Sequence, residues 1–351
     1  MKTYKHLYPQ ICDFENLYIA YRKARKGKRG RAQPATFERI QDDELLNLQE
    51  ELQTFTYKPG AYHSFYIHDP KKRLISAAPF RDRVAHHALC NVIEPIWERR
   101  FIFDSYANRV GKGTHRALDR AQEYARKYAF VLQCDVKQFF PSIDHAVLRA
   151  EFARLIRDEN SLWLCDQILQ SGVGVLAEEY EMEFFEGDDL LSANRPRGLP
   201  IGNLTSQFWA NVYLNGFDHF VKRELKCPAY VRYVDDFLLF SNSKQELSQW
   251  RNAVIQKVAA LRLTLHEECA QIFPTRTGIP FLGFRIFPEF RRVKHRKVVH
   301  FRRKLRRLLE GYSTGGFSFE QLNASVQGWI NHVRYADSWG LRRAVLGGVR
   351  L

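Results

Sequence analysis

The stretch that decides the fold is Tyr230-Val-Arg-Tyr-Val-Asp-Asp-Phe-Leu-Leu239, in which two carboxylates, Asp235 and Asp236, lie between apolar and aromatic runs. Each run has the composition of a short buried strand, so the pattern predicts a hairpin with the acidic pair at its turn. Burying carboxylates is costly unless they are neutralised, and adjacent like charges raise each other's pKa. Asp-Asp also occurs in hairpin turns for conformational reasons alone. A functional interpretation therefore needs a second acidic site on another strand.

The segment Ala129-Phe-Val-Leu-Gln-Cys-Asp135 supplies that second site, because an apolar strand ends there at a carboxylate. Asp135 and the pair Asp235-Asp236 together predict a carboxylate cluster that holds divalent cations. Magnesium prefers oxygen ligands and keeps water and substrate phosphates in its coordination shell. Two such ions, about 3.5–4 Å apart, activate an attacking hydroxyl and stabilise a leaving pyrophosphate. The pattern therefore indicates polymerase chemistry.

The charge balance points to a polyanionic partner. The 351 residues include 54 Lys and Arg against 39 Asp and Glu, which gives a formal charge of +15 and a pI near 9.6. A merely basic soluble protein is the alternative, but the basic residues are clustered, and this favours nucleic acid. The length allows two or three subdomains with sizeable cores.

The cysteines and the N-terminus indicate a reducing, cytoplasmic location. The six cysteines include no Cys-x-x-Cys pair and several lie in apolar runs, so we expect buried thiols and neither a zinc site nor a disulfide framework. The first residues lack the apolar core of a signal peptide, and no stretch approaches about 18 apolar residues. We therefore expect a cytoplasmic protein without a membrane partner.

Two N-terminal segments concentrate positive charge. An apolar helical pattern from Phe14 runs into seven cations that end at Arg31, and this run suits either a phosphate backbone or a solvated arm. Two predicted strands, 61–67 and 74–78, flank Asp69-Pro-Lys-Lys-Arg73. This basic hairpin either has an ordinary charged tip or presents its cations to a triphosphate. A helix from Phe80 follows.

The remaining segments complete the predicted order of elements. We expect helices over 145–170 and 208–220, a solvent-facing acidic loop or hairpin over 178–189, and strands over 261–265 and 281–287. The acidic loop alternates its carboxylates with aromatic residues and does not follow a strand end, so metal ligation there is not favoured. The last 64 residues are strongly basic, with the apolar faces of two helices.

Four motifs occur in an order that identifies a family. They are Asp135 followed by Phe139-Phe140, the loop Gly198-Leu-Pro-Ile-Gly202, Tyr233-Val-Asp-Asp236 and Phe281-Leu-Gly-Phe284. A lone Tyr-x-Asp-Asp is weak, but the ordered set is strong, and over nearly its whole length the chain resembles a reverse transcriptase. The resemblance implies an α+β right-hand polymerase fold, with an antiparallel palm sheet flanked by helices. Its parts would be fingers over 1–108, a palm with interleaved finger helices over 109–290 and a short, basic helical thumb over 291–351.

Within that family, the chain most resembles the enzymes of diversity-generating retroelements of the bacterial, group II intron-like superfamily. The segments that carry this likeness are Leu199-Pro-Ile-Gly-Asn-Leu-Thr-Ser-Gln207, Asp104 to His115, and Gly328-Trp-Ile-Asn-His332. The resemblance implies a bacterial or phage-encoded enzyme with a structured template RNA, a cDNA primer duplex, deoxynucleotides and a small, basic, oligomeric accessory protein. A defence-associated or group II intron-like enzyme is the alternative. A catalytically inert RNA-binding protein is a further rival, which the intact Asp135, Asp235 and Asp236 oppose.

The resemblance also implies roles for individual residues. Asp135 and Asp235 would be the main ligands of two Mg²⁺ ions, which Mn²⁺ could replace, with Asp236 and the Val136 carbonyl as further ligands. Phe140 matches the steric gate that excludes a ribose 2′-hydroxyl, with core packing as the alternative. The full set of expected nucleotide-binding residues is Lys71, Arg73, Arg81, Phe139, Phe140, Ile201, Gly202 and Gln207. The expected nucleic-acid contacts are Arg25, Lys28, Arg29, Arg109, Lys112, Arg302, Arg303 and Arg306.

Two positions differ from many relatives. Ile201 stands where replicative enzymes have Gln, and an aliphatic side chain cannot donate a hydrogen bond, so base-pair geometry would be checked less strictly. Ile201 and Arg73 are therefore candidates for adenine-directed errors. His266-Glu-Glu-Cys269 replaces the usual Pro-Lys-Lys sequence, which puts general-acid assistance in doubt and leaves His266 as a substitute for the Lys.

Overall fold

The structure is a computed structural model and describes residues 2–28, 30–68, 72–266 and 270–347. Helices and antiparallel sheets are mixed along the chain, in agreement with the expected α+β class. The division into three parts at 108 and 290 stays a prediction. None of the helices in these ranges is long and apolar enough to cross a membrane.

The strands form three antiparallel sheets. A hairpin (β1–β2) comes first, a four-stranded sheet in the order β4-β5-β3-β6 lies at the centre, and a three-stranded sheet (β7-β8-β9) follows. The strands are β1 His63–Ile67, β2 Arg73–Ala77, β3 Phe130–Asp135, β4 Ala229–Tyr233, β5 Asp236–Ser241, β6 Gln271–Pro274, β7 Ile279–Phe281, β8 Phe284–Ile286 and β9 Arg291–Val293.

Helices surround these sheets. The helices are α1 Tyr8–Ile11, α2 Phe14–Arg25, α3 Ala32–Arg39, α4 Gln41–Gln53, α5 Phe80–Glu98, α6 Thr114–Lys127, α7 Phe139–Ser142, α8 His145–Leu155, α9 Glu159–Ser171, α10 Leu204–Tyr213, α11 Asn215–His219, α12 Lys244–Ala260, α13 His295–Ser313, α14 Phe319–Val333 and α15 Trp339–Leu346. A π-helix, Phe220–Glu224, continues α11.

The central sheet is buried on both faces because its strands are apolar on both faces. Leu132, Cys134 and Phe237 join the large core formed with the surrounding helices. Val131 and Leu238 alternate with them and join a second core built with α6 and the three-stranded sheet. Period-two alternation along each strand therefore assigns every side chain to one core or the other.

The C-terminal helices form a third, separate core. Phe301 of α13 stacks on Trp329 of α14 with ring centroids 4.3 Å apart, and Val345 of α15 joins the same cluster. Ser318 caps α14 through a capping box with Gln321. The apolar stripe of α13 leaves Arg302, Arg303 and Arg306 exposed.

Several predicted elements differ from the structure. The predicted strand over 281–287 is a hairpin, because Leu282 and Gly283 adopt positive φ angles of 47° and 89° and reverse the chain. The predicted strand over 261–265 is reduced to one isolated bridge, between Leu265 and Val136. The residues 145–170 are helical as expected and are divided into α8 and α9, of which Asp158 caps the second by accepting from the Ser161 amide.

Candidate active site

The sheet register brings the carboxylates of two distant segments together. Asp135 at the end of β3 is the direct partner of Asp236 at the start of β5. Directly opposed residues in an antiparallel pair project to the same face of the sheet. Asp235 lies in the β4–β5 turn beside Val234, whose φ of 59° is unusual for a β-branched residue. The hairpin predicted for the acidic pair therefore forms, and the two aspartates occupy different places in it.

The electrostatics of these carboxylates are those of an anion cluster. Burial, followed by the charge of Asp135, raises the pKa of Asp235 to about 6. Burial and the charges of Asp135 and Asp235 raise the pKa of Asp236 to about 8. The Asp236 Oδ1 atom is buried and has no hydrogen-bond partner within the described ranges. The site therefore holds excess negative charge that a cation would neutralise.

The donor set fits a hard divalent cation. Three carboxylates on adjoining strand ends offer oxygen ligands alone, which is the chemistry that magnesium prefers. The unpartnered Asp236 Oδ1 atom and the raised pKa values of Asp235 and Asp236 fit this chemistry, because a bound cation would accept the oxygen as a ligand and offset the negative charge. Across the described part of the chain, however, no group of three or more His, Cys, Asp or Glu side chains is already arranged as a metal cage. The metal assignment of Asp135, Val136, Asp235 and Asp236 thus stays a prediction.

Positive charge approaches the acidic cluster from two sides. Arg73, exposed at the start of β2, lowers the pKa of Asp235, and Lys294, which precedes α13, lowers that of Asp236. Gln133, on the same face of β3, also lowers the pKa of Asp236. Of the predicted nucleotide-binding cations, the structure therefore brings Arg73 to the acidic cluster.

A buried ion pair lies next to the β4–β5 turn that contains Asp235. Arg232 and Asp218 are completely buried, and Arg232 donates to both carboxylate oxygens of Asp218 at 2.6 and 2.7 Å. The other terminal nitrogen of Arg232, Nη1, donates to the Val234 carbonyl at 3.0 Å and to Asn211 at 3.1 Å. This network was not predicted from the sequence. The signal was present, since a charged residue inside an apolar strand requires a buried partner.

The two phenylalanines after Asp135 have different environments. Phe139 is 2% exposed and belongs to the large core, whereas Phe140 is only partly buried. Gln138, with a φ of 46°, starts the short helix that carries them. The Phe140 carbonyl accepts a hydrogen bond from the Leu199 amide at 2.9 Å, which joins this segment to the loop before α10. Phe140 is therefore the ring that a nucleotide could reach.

The loop before α10 is attached to the base of the β1–β2 hairpin. The Ile201 carbonyl accepts from the Ser76 amide at 2.8 Å, and the Asn203 side chain bonds both the Ala78 amide and the Ser76 carbonyl. Gly202 has a φ of 120°, and a Cβ there would lie 3.0 Å from Ile75. Only glycine fits this contact without strain.

The same loop leads directly into the first turn of α10. Gln207 lies in that turn and is exposed. The predicted positions Ile201 and Gly202 thus lie next to the strand that bears Arg73.

Three other predicted cations are held within the fold. Arg81 lies 2.6 Å from Glu51 and 3.8 Å from Glu44, and Arg25 pairs with Glu38. Arg109 is directed inward: its side chain is 6% exposed, and it bonds Glu98 and the carbonyls of Ile102 and Ser105. All three nitrogens of its guanidinium donate within the protein, which opposes direct contact with nucleic acid, and the predicted role of Arg109 stays a prediction.

The remaining predicted cations are placed as follows. The pKa of Lys28 is lowered, first by burial and then by the positive charges of Arg83 and Arg31. Lys112 donates to the Phe103 carbonyl at 2.7 Å. Lys71 and Arg29 lie outside the described residues. The exposed α13 cations Arg302, Arg303 and Arg306 keep their predicted role as a prediction.

The acidic stretch 178–189 folds back onto the candidate active site. Lys137, two residues after Asp135, pairs with Glu181 at 2.8 Å and Glu183 at 3.0 Å. Asp188 forms a bidentate ion pair with Arg262, whose Nη1 and Nη2 atoms donate to its two carboxylate oxygens at 2.6 and 2.7 Å. The expectation of a solvent-facing loop is therefore wrong for Asp188, whose side chain is almost fully buried.

The segment after α12 brings a histidine backbone to the site. The His266 amide donates to the Asp135 carbonyl at 2.9 Å, and the His266 side chain is exposed. Residues 267–269, including Cys269, lie outside the described residues. His266 is therefore placed next to the strand end that carries Asp135.

Comparison with known proteins gives a consistent result. The family model described as "Reverse transcriptase (RNA-dependent DNA polymerase)" matches residues 58–286, which is more than half of the chain. "Protein YkfC" of Escherichia coli (strain K12) is 25% identical over 304 residues, covering 73% of this chain and 74% of that protein. "Group II intron-encoded protein LtrA" of Lactococcus lactis subsp. cremoris is 23% identical over 226 residues, covering 63% of this chain and 36% of LtrA. "Nuclear intron maturase 2, mitochondrial" of Arabidopsis thaliana is 26% identical over 189 residues, covering 49% of this chain and 26% of the maturase.

Proposed function

The chain belongs to the reverse transcriptase (RNA-dependent DNA polymerase) family, and we propose that it copies a structured template RNA into cDNA by two-metal nucleotidyl transfer. The observation that carries the proposal is the pairing of Asp135 with Asp236, beside Asp235, at the ends of the two middle strands of the central sheet. An RNA template and a nucleic-acid primer are the partners that the family implies. The basic N-terminal helices and the exposed cations of α13 would hold their phosphates without reading sequence.

The proposed layout follows the right-hand polymerase fold. The β1–β2 hairpin and the helices around it would be the fingers, the four-stranded sheet with its helices the palm, and α13–α15 the thumb. In this layout the template-primer duplex lies across the face of the sheet to which Asp135 and Asp236 project. We further propose that the protein acts in the cytoplasm.

The acidic residues would bind the metal ions at the reacting groups. Asp135 and Asp235, with Asp236 and the Val136 carbonyl, would hold two Mg²⁺ ions, or Mn²⁺ in their place. When bound, such ions lower the pKa of the attacking hydroxyl and neutralise the leaving pyrophosphate. Arg73 and Lys294 would bind the negatively charged triphosphate near the cluster. The positive charge of each already lowers the pKa of a carboxylate there, Asp235 for Arg73 and Asp236 for Lys294. His266 would protonate the leaving pyrophosphate.

Primer extension tests the catalytic assignment. We expect wild-type protein to extend a DNA primer on an RNA template with Mg²⁺ and deoxynucleotides. Asp235→Ala should lose at least about three orders of magnitude in rate, since the two-metal site would lose a ligand. Equal incorporation by the two proteins would overturn the assignment and favour an inert RNA-binding protein.

We propose the diversity-generating type as the finer assignment, with errors directed at template adenines. Support comes from the segments that resemble these enzymes and from Ile201, whose side chain cannot donate a hydrogen bond to a base. Ile201→Gln should reduce misincorporation opposite adenine, as measured by sequencing cDNA made from a defined template. Ile201→Val is the matched aliphatic control and should keep the original error spectrum. An unchanged spectrum in the Gln variant would count against this role.

A group II intron-like role is the second candidate, because LtrA and the nuclear maturase carry intron names and match this chain. Sequencing the RNA that co-purifies with the protein separates the two. An intron RNA would favour the second candidate. A repeat-derived template RNA, together with a small basic accessory protein in the complex, would favour the first.

A further inference from the structure

The segment 178–189 concentrates negative charge in a chain that is basic overall. Seven of its twelve residues are Glu or Asp and none is Lys or Arg, whereas the whole chain carries a formal charge of +15. Residues 180–189 belong to no helix or strand. Like charges repel one another, and no backbone ladder opposes the repulsion here. The position of the segment therefore depends on side-chain contacts with the rest of the protein.

The segment contacts the residues that follow Asp135. The Lys137 ammonium lies 2.8 Å from Glu181 and 3.0 Å from Glu183. The Glu181 amide donates to the Gln138 side-chain oxygen at 3.0 Å. The side chains of Glu181 and Lys137 are 71% and 28% exposed, and exposed ion pairs add little net stability because water competes for both charges. The ion pairs of Lys137 are therefore contacts that another anion can replace.

The segment also contacts the β1–β2 hairpin. The Tyr66 hydroxyl donates to a carboxylate oxygen of Glu179 at 2.9 Å. Tyr66 lies on β1, and the next residue, Ile67, pairs with Arg73 of β2. The segment thus contacts both elements that border the proposed nucleotide site, the hairpin with Arg73 and the strand that ends at Asp135. Its carboxylates would therefore lie beside the path of an incoming triphosphate.

The far end of the segment is anchored in the protein. The Asp188 side chain is 6% exposed and forms its bidentate ion pair with Arg262. Arg197 donates to the Ala193 carbonyl at 2.6 Å, and its guanidinium lies 4.5 Å from the Tyr180 ring centroid. None of these contacts involves the ammonium that faces the glutamates. Release of that ammonium therefore leaves the anchor in place.

From these contacts we propose that Lys137 is a further phosphate-binding residue of the nucleotide site, and that Glu181 and Glu183 occupy it until the triphosphate of an incoming nucleotide replaces them. This role rests on the polymerase function proposed above. Phosphate oxygens accept charge-assisted hydrogen bonds from an ammonium group as carboxylates do, and a triphosphate carries more negative charge than two carboxylates. The glutamates therefore weaken nucleotide binding and hold Lys137 in position when no nucleotide is bound.

Nucleotide titrations of primer extension test this role. The double variant Glu181→Gln with Glu183→Gln, here the Gln pair, removes the competing charges and should lower the KM for a deoxynucleotide about threefold. Lys137→Met should raise this KM about fivefold, and Lys137→Arg, which keeps the cation, should stay close to wild type. Glu186→Gln is the matched control, because it removes one charge from an exposed position in the same segment that is not paired with Lys137.

A double-mutant cycle separates competition for Lys137 from simple repulsion of the triphosphate. If the glutamates act by occupying Lys137, the Gln pair should leave KM unchanged in the Lys137→Met background. An equal reduction of KM in both backgrounds would overturn the proposal. So would an unchanged or higher KM for the Gln pair when Lys137 is present, which is the result expected of a purely structural brace. Thermal unfolding of each variant checks that the fold is intact.

Binding of inorganic triphosphate gives a readout that does not depend on catalysis. In calorimetric titrations of the full chain without nucleic acid, the Gln pair should bind it about threefold more tightly than wild type, and Lys137→Met more weakly. If wild-type protein does not extend a primer, the proposed function fails, and these affinities still decide whether Lys137 binds phosphate. If wild-type protein extends the primer but the variants match it in KM and affinity, the role of Lys137 alone is overturned.

Discussion

Asp135 and Asp236 are direct partners across the β3–β5 pair, whereas Asp235, the chain neighbour of Asp236, lies outside that pairing in the β4–β5 turn. The two adjacent aspartates therefore have different constraints. Asp236 is held on the sheet beside Asp135 and Gln133, and it has the higher pKa of the two. Asp235 lies in the turn, where the Val234 carbonyl accepts a hydrogen bond from the buried Arg232.

Removing the charge of Asp236 should stabilise the protein when no metal is bound. The pKa of Asp236 is about 8 in the folded state against an ordinary 3.8, so the folded state binds the proton more tightly. Its contribution to stability is present at pH 4 and is lost as the pH rises to about 8. In EDTA at pH 8, Asp236→Asn should therefore raise the free energy of unfolding by an amount on the order of 1 kcal/mol or more.

Urea unfolding of wild-type protein and Asp236→Asn between pH 5 and 9 measures this difference. With Mg²⁺ present, the wild-type protein should recover stability and the variant should recover less, because a bound cation compensates only a charged carboxylate. Parallel pH profiles of the two proteins in EDTA would contradict the raised pKa.

Breaking the buried pair of Arg232 and Asp218 by removing one partner should lower both stability and rate. Asp218→Ala leaves an uncompensated buried guanidinium, which costs about 3–5 kcal/mol. The double variant Arg232→Met with Asp218→Leu removes both charges and should recover most of the free energy of unfolding. It should stay slow in single-turnover primer extension, because the hydrogen bond from Arg232 to the Val234 carbonyl is absent. Full activity in the double variant would show that this hydrogen bond does not position the turn.

Phe140 should control selection against ribonucleotides. Phe140→Val replaces the partly exposed ring with a smaller side chain, so incorporation of ribonucleotides relative to deoxynucleotides should rise about tenfold or more. Single-nucleotide incorporation assays measure the ratio. Phe139→Leu is the control, since Phe139 is buried in the core and should affect stability without changing sugar selection. A common effect of both variants on the ratio would indicate that Phe140 acts through core packing.

His86 should make the fold sensitive to mild acid. Its ring is buried and neither nitrogen has a partner among the described residues, and burial, with the charges of His87 and Arg83, lowers its pKa to about 3. The ordinary value in the unfolded chain is 6.5, so stability is complete above about pH 6.5 and is lost as the pH falls toward 3.

The variant His86→Leu removes this titration and an unpaired polar ring. It should flatten the dependence of stability on pH between 6.5 and 3 and raise stability at pH 5 by about 1 kcal/mol. Thermal unfolding across this range measures the effect, with the exposed His68→Leu as control. An unchanged pH profile in His86→Leu would mean that another group causes the acid sensitivity.

Local pattern alone was sufficient to predict most of the elements near the site. The hairpin around Asp235 and Asp236, the strand that ends at Asp135 and the basic hairpin before α5 all follow from apolar runs and turn residues that are contiguous in the chain. The predicted strands over 261–265 and 281–287 were wrong in detail. Apolar composition does not distinguish one strand from a tight hairpin when the reversal depends on the φ angles of Leu282 and Gly283.

The amino-acid sequence by itself determined the family, through motifs whose order and residue types are readable without coordinates. It also located Asp135 at a strand end and Asp235-Asp236 at a hairpin turn. Only the tertiary structure decided that Asp135 pairs with Asp236, that Asp218 neutralises Arg232, and that Asp188 is held by Arg262. The physical reason is that propensity acts between near neighbours in the chain. Register, ion pairing and cavities depend instead on contacts between segments far apart in sequence, and which segments meet is set by how the cores pack.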